Sequence, residues 1–278
     1  MPLTPSHAVA APLIQRVIRP LGIILPMSAL VIGTMVPDFE YLIRLSPGGG
    51  EWHTRVGLVE YCLPAGLATW WIFRTVIGPT LLRLLPPGLG DAARATVAPG
   101  PTYRLVPGAL AAIAIGAVSH DLWDSFTHRD GWAAREFPWL RLRVQLGPHW
   151  WMRYFSIFQY LSSVIGLLAV VSILWLWVAK QPRATLCVPV EERAWRIREA
   201  GLLLLSAIAG SLLNALRPHP PGLPWTLGLA AVGAMSALAL ALLVYGIVDG
   251  LRHRASERLA IQTAAGPSDY GSDSLSSR

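Results

Sequence analysis

The chain has 278 residues, 53% of them hydrophobic and 14% charged, with a net charge of +7 and a mean hydropathy of +0.47. A soluble domain carries roughly a quarter charged residues, so this balance excludes an ordinary soluble enzyme and points to an integral membrane protein. The arginines lie mainly between apolar runs, where anionic headgroups and topology account for them; membrane lipid, not nucleic acid, is the expected partner. Cys62 and Cys187 form neither a disulfide framework nor a CxxC pair.

In chain order, residues 1–22 are mildly apolar and broken by Pro2, Pro5, Pro12 and Pro20. Signal-peptide layout is missing, since His7 and Pro12 precede any basic residue and no A-x-A site follows a compact apolar core. Ser6 or Thr4 is the candidate cap of a helix running from near His7 to about Ile18. Pro20 and Gly22 make a turn, Pro26–Val36 is a second short helix, and Pro37 ends it. The apolar stretch Ile23–Val36 falls short of the ~20 residues a span needs. We therefore expect residues 4–38 to form a re-entrant or interfacial helical hairpin, with His7 brought toward Asp38.

Five longer runs read as transmembrane helices: Val56 to about Leu82, Leu105–His128, Tyr154–Val178, Ala200–Leu216 (extended by Trp195–Glu199) and Trp225–Val248. Many of the 12 tryptophans sit beside these runs, where an aromatic belt belongs. Leu89–Pro101 reads as a flexible loop. From 252 the chain turns polar, and residues 255–278 are Ser/Gly-rich and aperiodic, as in a disordered tail. The expected fold is all-α: one multi-pass bundle over 1–251, with a core over 1–180 and a helical pair over 199–251. No internal or inverted repeat argues for a transporter.

Under this topology His53, the Arg129–Trp151 loop and the 217–224 turn share one side. Arg83, Arg94, Arg104, Lys180, Arg183, Arg193, Arg196, Arg198, Arg252, Arg254 and Arg258 gather on the other. The positive-inside tendency makes the second side cytoplasmic and the histidine-bearing side extracytoplasmic. The loop from Arg129 to Arg153 interleaves Trp132, Trp139, Trp150 and Trp151 with Arg135, Arg141 and Arg143. It reads as a segment anchored in headgroups, or as a cationic rim that holds a phosphate-bearing lipid. Gln159, Ser162 and Ser163 are polar residues inside a span, suited to bonds with neighbouring helices.

The residues that carry chemistry are His7, Asp38 with Glu40, His53, and the stripe His120, Asp124 and His128. All lie at one proposed end of an apolar run. Residues four apart stack on one helical face. Nitrogen and carboxylate ligands without cysteine suit Zn²⁺ first, with Mn²⁺ or Fe²⁺ also acceptable. Eight helical residues span about 12 Å, so His120 and His128 should not share an ion, whereas His120 and Asp124 can. His128 is left for a second ion or for orienting a ligand. Asp121, Asp124 and His128 form a competing stripe at i, i+3, i+7. Asp38, Glu40 or Asp121 is the candidate general base. The bland alternatives are an Asp124–His128 helix ion pair, interface histidines at His149, His219 and His253, and a turn role for Asp38.

Several segments resemble the bacterial membrane family catalogued as domain of unknown function 4184. They are Met1-Pro2-Leu3-Thr4-Pro5-Ser6-His7, Ser28–Gly33 leading into Pro37-Asp38-Phe39-Glu40-Tyr41, Ser119–His128, and Gln159-Tyr160-Leu161-Ser162-Ser163. The family implies no established activity. More distantly, the pattern is similar to membrane-bound metal-dependent hydrolases and zinc-dependent phospholipase C. That likeness implies a ligand set of His7, Asp38, His53, His120 and Asp124, although the Gly-rich context expected after the third ligand is missing at His53-Thr54-Arg55-Val56-Gly57. The leading expectation is a metal-dependent hydrolase of an ester or phosphoester in a lipid-like or phosphate-bearing substrate, with Glu40, Asp121 and His128 as the groups that move protons. The competing expectation is a non-catalytic membrane protein whose polar cluster is structural or binds a partner.

Overall fold

The computed structural model describes residues 3–48, 50–95, 102–182, 188 and 190–264. A 3-10 turn over Thr4–Val9 leads into helix α1, Ala10–Ile18. Gly22 at φ 75° turns the chain back in the left-handed region, where glycine carries no Cβ penalty. The Gln15 amide fastens the return, donating to the Ile23 carbonyl and accepting from the Leu25 amide, each at 3.0 Å. Helix α2 (Met27–Gly33), a 3-10 turn (Val36–Asp38) and α3 (Phe39–Arg44) follow. The start and end of this hairpin meet, because Thr4 Oγ1 donates to Asp38 Oδ2 at 2.7 Å. The expected hairpin over residues 4–38 is thus present, but its capping differs. Leu3 holds the cap position with no side-chain bond; Thr4 is engaged by Asp38, and Ser6 Oγ is buried without a partner.

Among the described residues, five helices are long and apolar enough to cross a membrane: Arg55–Leu84, Arg104–Glu136, Tyr154–Ala179, Glu192–Ala215 and Leu223–Arg258. The first, α4 (Arg55–Leu84), contains two π turns, Leu58–Cys62 and Phe73–Ile77. Each closes just before a proline, Pro64 or Pro79. A proline ring clashes with the carbonyl four residues back and brings no N–H, and the turn ahead of it widens. Leu63 accordingly bonds back to Leu58 and Gly78 to Phe73, five residues rather than four.

Helix α5 (Pro87–Ala95) occupies part of the segment expected as a loop; residues 96–101 lie outside the described residues. Helix α6 (Thr102–Thr127) ends at the turn leading to α7 (Trp132–Glu136). A hairpin of β1 (Arg143–Gly147) and β2 (Trp150–Arg153) then feeds α8, Tyr154–Ala179. Helices α9 (Val190–Ala215) and α10 (Leu223–Ala264) complete the bundle. Helix α10 runs past the polar onset at 252, where a tail was expected. Arg252–Ala260 is built largely of helix formers, and His253 meets Glu257 one turn on at 3.4 Å. Loss of apolar periodicity there is not loss of helical propensity. The rest of the expected tail, residues 265–278, lies outside the described residues.

Small residues set the closest contacts. A Cβ on Gly116 would lie 2.7 Å from the Gly33 carbonyl carbon, and one on Gly33 would lie 2.6 Å from the Ile113 carbonyl oxygen. Helices α2 and α6 therefore cross backbone to backbone, amid buried Leu30, Ile113 and Trp70. Gly166 does the same on α8, where a Cβ would meet Ser6 at 2.7 Å, and Ser163 Oγ accepts from the Leu3 amide at 3.0 Å. Helices α9 and α10 close on Gly210, Gly233 and Ala237. They are tied to α3 through Leu45, whose carbonyl accepts from Asn214 Nδ2 at 3.2 Å and Arg217 Nη1 at 2.8 Å. At the far end Arg83 pairs with Asp249. Successive long helices alternate in direction, so the 46–54 loop, residues 128–153 and the 216–222 turn share one end.

Candidate metal centre

The centre is assembled from that end. The Gly33–Gly116 crossing sets the Thr34 carbonyl beside α6, where it lies 2.8 Å from His120 Nδ1. A carbonyl only accepts, so Nδ1 carries the proton and Nε2 turns inward. Nε2 lies 3.5 Å from Asp38 Oδ1 and 3.4 Å from Asp124 Oδ2. Asp124 is one turn along α6, as the i, i+4 spacing requires. Asp38 arrives from the 3-10 turn after α2, its other oxygen held by Thr4.

His53 comes from the loop ahead of α4. Thr54 caps that helix, its hydroxyl accepting from the Gly57 amide at 2.9 Å and donating to the Glu51 carbonyl at 2.8 Å. A Cβ on Gly57 would fall 1.9 Å from the Glu51 carbonyl oxygen, so the loop folds directly over the helix start. Glu40 reaches up from α3 to the Trp52 amide at 3.4 Å and lies 3.0 Å from Arg44 in an off-axis ionic contact. His53 Nε2 then lies 3.5 Å from Asp38 Oδ1 and 3.9 Å from Asp124 Oδ2, with its ring stacked on Tyr41. One ligand atom from each of Asp38, His53, His120 and Asp124 lies within 4.8 Å of the others.

His7 flanks this group. Its ring stacks on His120 at 4.0 Å between centroids and meets the edge of Trp123, and Nε2 lies 3.4 Å from Asp124 Oδ1. His128 Nδ1 approaches the other Asp124 oxygen at 3.4 Å. His7, Asp38 and His120 are each about 1% exposed, while the side chains of His53 and His128 are 18% and 32% exposed and form the open edge of the cluster. Burial, then the adjacent His120, pushes His7 down to about 4 against the pull of Asp124 and Asp38, so the ring is neutral at ordinary pH. Burial alone would raise Asp38, but His120, then His53 and His7, hold it well below the usual carboxylate range. Burial, with Asp38 and Asp124 beyond it, pushes the Tyr41 phenol up and keeps it protonated.

The sequence-expected ligands Asp38, His53, His120 and Asp124 are therefore brought together, with His7 and His128 against Asp124. Asp121 is half-buried on the same helix and has a buried Oδ1 with no hydrogen-bond partner. Glu40 faces Arg44 and the Trp52 amide and stands outside the four-residue group. His149 is exposed, His219 is half-buried beside the Pro220 carbonyl and the Thr226 hydroxyl, and His253 is in the ion pair on α10. Sequence reasoning missed Thr4, the Thr34 carbonyl and Tyr41. Thr4 was considered only as a cap, although its place three residues before His7 at the hairpin mouth was a usable signal.

No curated protein and no solved structure matches the chain. A family model does, over residues 1–247, the Domain of unknown function (DUF4184). With the match covering most of the polypeptide, including every residue of the cluster, the chain belongs to that family.

Proposed function

We propose that the protein is a membrane-embedded metal-dependent hydrolase that cleaves an ester or phosphoester of a lipid-like substrate at the extracytoplasmic face of the bacterial cell membrane. The observation that carries the metal reading is a spacing. Two ligands about 2.1 Å from a tetrahedral ion lie about 3.4 Å apart. The nitrogen–carboxylate separations among His53, His120, Asp38 and Asp124 are 3.4, 3.5, 3.5 and 3.9 Å. They are too long for charge-assisted hydrogen bonds, which close to about 2.7–2.9 Å. They also leave His120 Nε2, His53 Nε2 and Asp38 Oδ1 buried without hydrogen-bond partners. The donor set fits Zn²⁺ best, with Mn²⁺ or Fe²⁺ as the alternatives.

When bound, such an ion supplies Lewis acidity to the scissile group and a water acidified toward a pKa of ~7. The residues of the chain do the rest. Asp38, His53, His120 and Asp124 hold the ion, His7 buttresses Asp124, and the Thr34 carbonyl fixes His120 in the ligating tautomer. Asp121 accepts a proton from water, and His128, at the open edge, passes one to the departing alkoxide. Glu40 and Arg44 position the His53 loop. The lipid-like substrate class is supported by the opening of the cluster at His53 and His128, at the end of a membrane bundle. The extracytoplasmic side is supported by the lysine and arginine excess at the other end.

Elemental analysis of detergent-purified protein tests this directly. We expect near one zinc per chain, its loss from the His120→Ala and Asp124→Ala variants, and hydrolysis of a fluorogenic phospholipid that follows the metal. No bound ion in either wild type or variant ends the metal reading. Replacement of the histidines by glutamine with fold and phenotype unchanged would favour the structural-cluster alternative.

A further inference from the structure

Residues 129–153 connect α6 to α8 and so lie at the bilayer surface on the same side as the metal centre, beginning one residue after His128. Their inner part is fixed: Ala133, Ala134 and Leu140 are buried against Phe158 of α8, and Trp139 meets the rings of Tyr154 and Phe158 edge-on. The outer part is a two-stranded ribbon, with no further strand among the described residues. A lone hairpin of this size is marginal in water.

The ribbon's register makes it two-faced. Arg143 pairs with Arg153, Val144 with Met152, Gln145 with Trp151, and Gly147 with Trp150, with an irregularity at Leu146. Side chains alternate along a strand. Val144, Met152 and Trp150 fall on one face, and Arg143, Gln145, Trp151 and Arg153 on the other. Leu142, Leu146, Trp150 and Trp151 are 47–60% exposed, an arrangement suited to a lipid surface and costly in water.

Arg143 and Arg153 are the decisive pair. Like charges directly opposite across two strands repel. Neither forms an ion pair among the described residues, whereas Arg44, Arg83, Arg196 and Arg198 do. The 129–153 segment holds five arginines against Asp130 and Glu136. Arg135 and Arg141 donate to the backbone carbonyls of Asp130 and Arg129, not to carboxylates. Arg153 also lies over the Phe155 ring at 5.9 Å, which fixes its direction.

We propose that the ribbon is a binding element for anionic bilayer phospholipid. Arg143 and Arg153 clamp one headgroup phosphate from opposite strands, while the apolar face and Trp150 rest among the acyl chains. Arginine suits this task because its planar fork meets phosphate oxygens in pairs. The ribbon holds lipid beside the open edge of the metal centre, and its lipid affinity is independent of the metal reading.

The test uses the full chain in nanodiscs of phosphatidylcholine with and without phosphatidylglycerol, reading retained lipid by mass spectrometry and the thermal midpoint. We expect wild type to retain phosphatidylglycerol selectively and to melt higher in its presence. Arg143→Gln with Arg153→Gln should lose that retention by about tenfold, a change of 1.4 kcal/mol, and melt no lower than wild type in phosphatidylcholine because the repulsion is relieved. Arg143→Glu builds a cross-strand ion pair that keeps the ribbon folded, and it too should lose retention. Undiminished retention by either variant overturns the proposal. So does inorganic phosphate matching the phosphatidylglycerol shift, which would mark a free-anion site. Metal content measured on the same samples should stay at the wild-type value, so a failure here is distinguishable from a failure of the metal centre.

Discussion

At the scale of single residues, the proposed metal centre depends on groups that would not themselves face an ion. Thr4 Oγ1 occupies one oxygen of Asp38 and leaves the other directed at His53 and His120. Partners of this kind orient ligands and raise affinity; their loss usually costs 10–100-fold in metal binding. Thr4→Val keeps the volume and removes the hydroxyl, so zinc affinity measured by chelator competition should fall by roughly that factor with helicity unchanged. An unchanged affinity would mean that Asp38 is oriented by its helix turn alone. His120 and Asp124 were legible in the sequence because a helix puts positions four apart on one face. The Thr34 carbonyl was not, because every residue carries a carbonyl and only the fold selects one. Glu40 was read from the sequence as a candidate general base, but its engagement by Arg44 and the Trp52 amide required the loop geometry.

At the scale of elements, the Gly33–Gly116 crossing controls the site. It allows α2 and α6 to touch by backbone, and this contact brings the Thr34 carbonyl to His120. A side chain at 116 has no room, with Gly33 and Thr34 backbone atoms at 2.7 Å from its Cβ. Overpacking of this kind costs about 1–3 kcal/mol or more. Gly116→Leu should therefore lower the thermal midpoint and reduce zinc per chain together, while Gly201→Ala, with open space at its Cβ, should change neither. Each short helix of the N-terminal hairpin was visible in its prolines and in Gly22. The crossing partner was not, since a glycine in an apolar run carries no mark of which helix it meets. The π turns ahead of Pro64 and Pro79 follow from proline chemistry, yet proline alone does not say whether a helix kinks, widens or stops.

At the scale of the whole molecule, the five long helices were readable from hydropathy, since a bilayer demands length and apolarity and little else. How the last two join the rest was not, because the links are single polar contacts that only the fold selects: Asn214 and Arg217 to the Leu45 carbonyl, Ser236 to the Leu42 carbonyl, and Arg83 to Asp249. Asn214 also donates to the Leu229 carbonyl at 2.7 Å, so it ties α9, α10 and α3 at one point. Asn214→Ala removes the buried bond to the Leu229 carbonyl and leaves the Leu45 carbonyl to Arg217 alone, at a cost of about 1–3 kcal/mol. Its thermal midpoint should fall, and zinc should remain at low temperature, because no ligand lies on α9 or α10.

The alternation of the helices also fixes which loops must share a side. In a Cys187→Ser background, an impermeant thiol reagent applied to intact cells should label Pro148→Cys and His219→Cys alike and spare Lys180→Cys, which follows the far end of α8. Pro5→Cys and Leu45→Cys should behave as a pair, since Thr4 meets Asp38 and Leu45 meets Asn214 at the same end. Labelling of 148 without 219 would break the five-span topology. Labelling of 180 alone would turn the molecule over, placing the candidate metal centre and the arginine ribbon against the cytoplasmic leaflet. That leaflet carries anionic lipid and a surface potential of about −30 mV. The ribbon would then meet its headgroups at the inner surface, and the substrate would have to come from that leaflet.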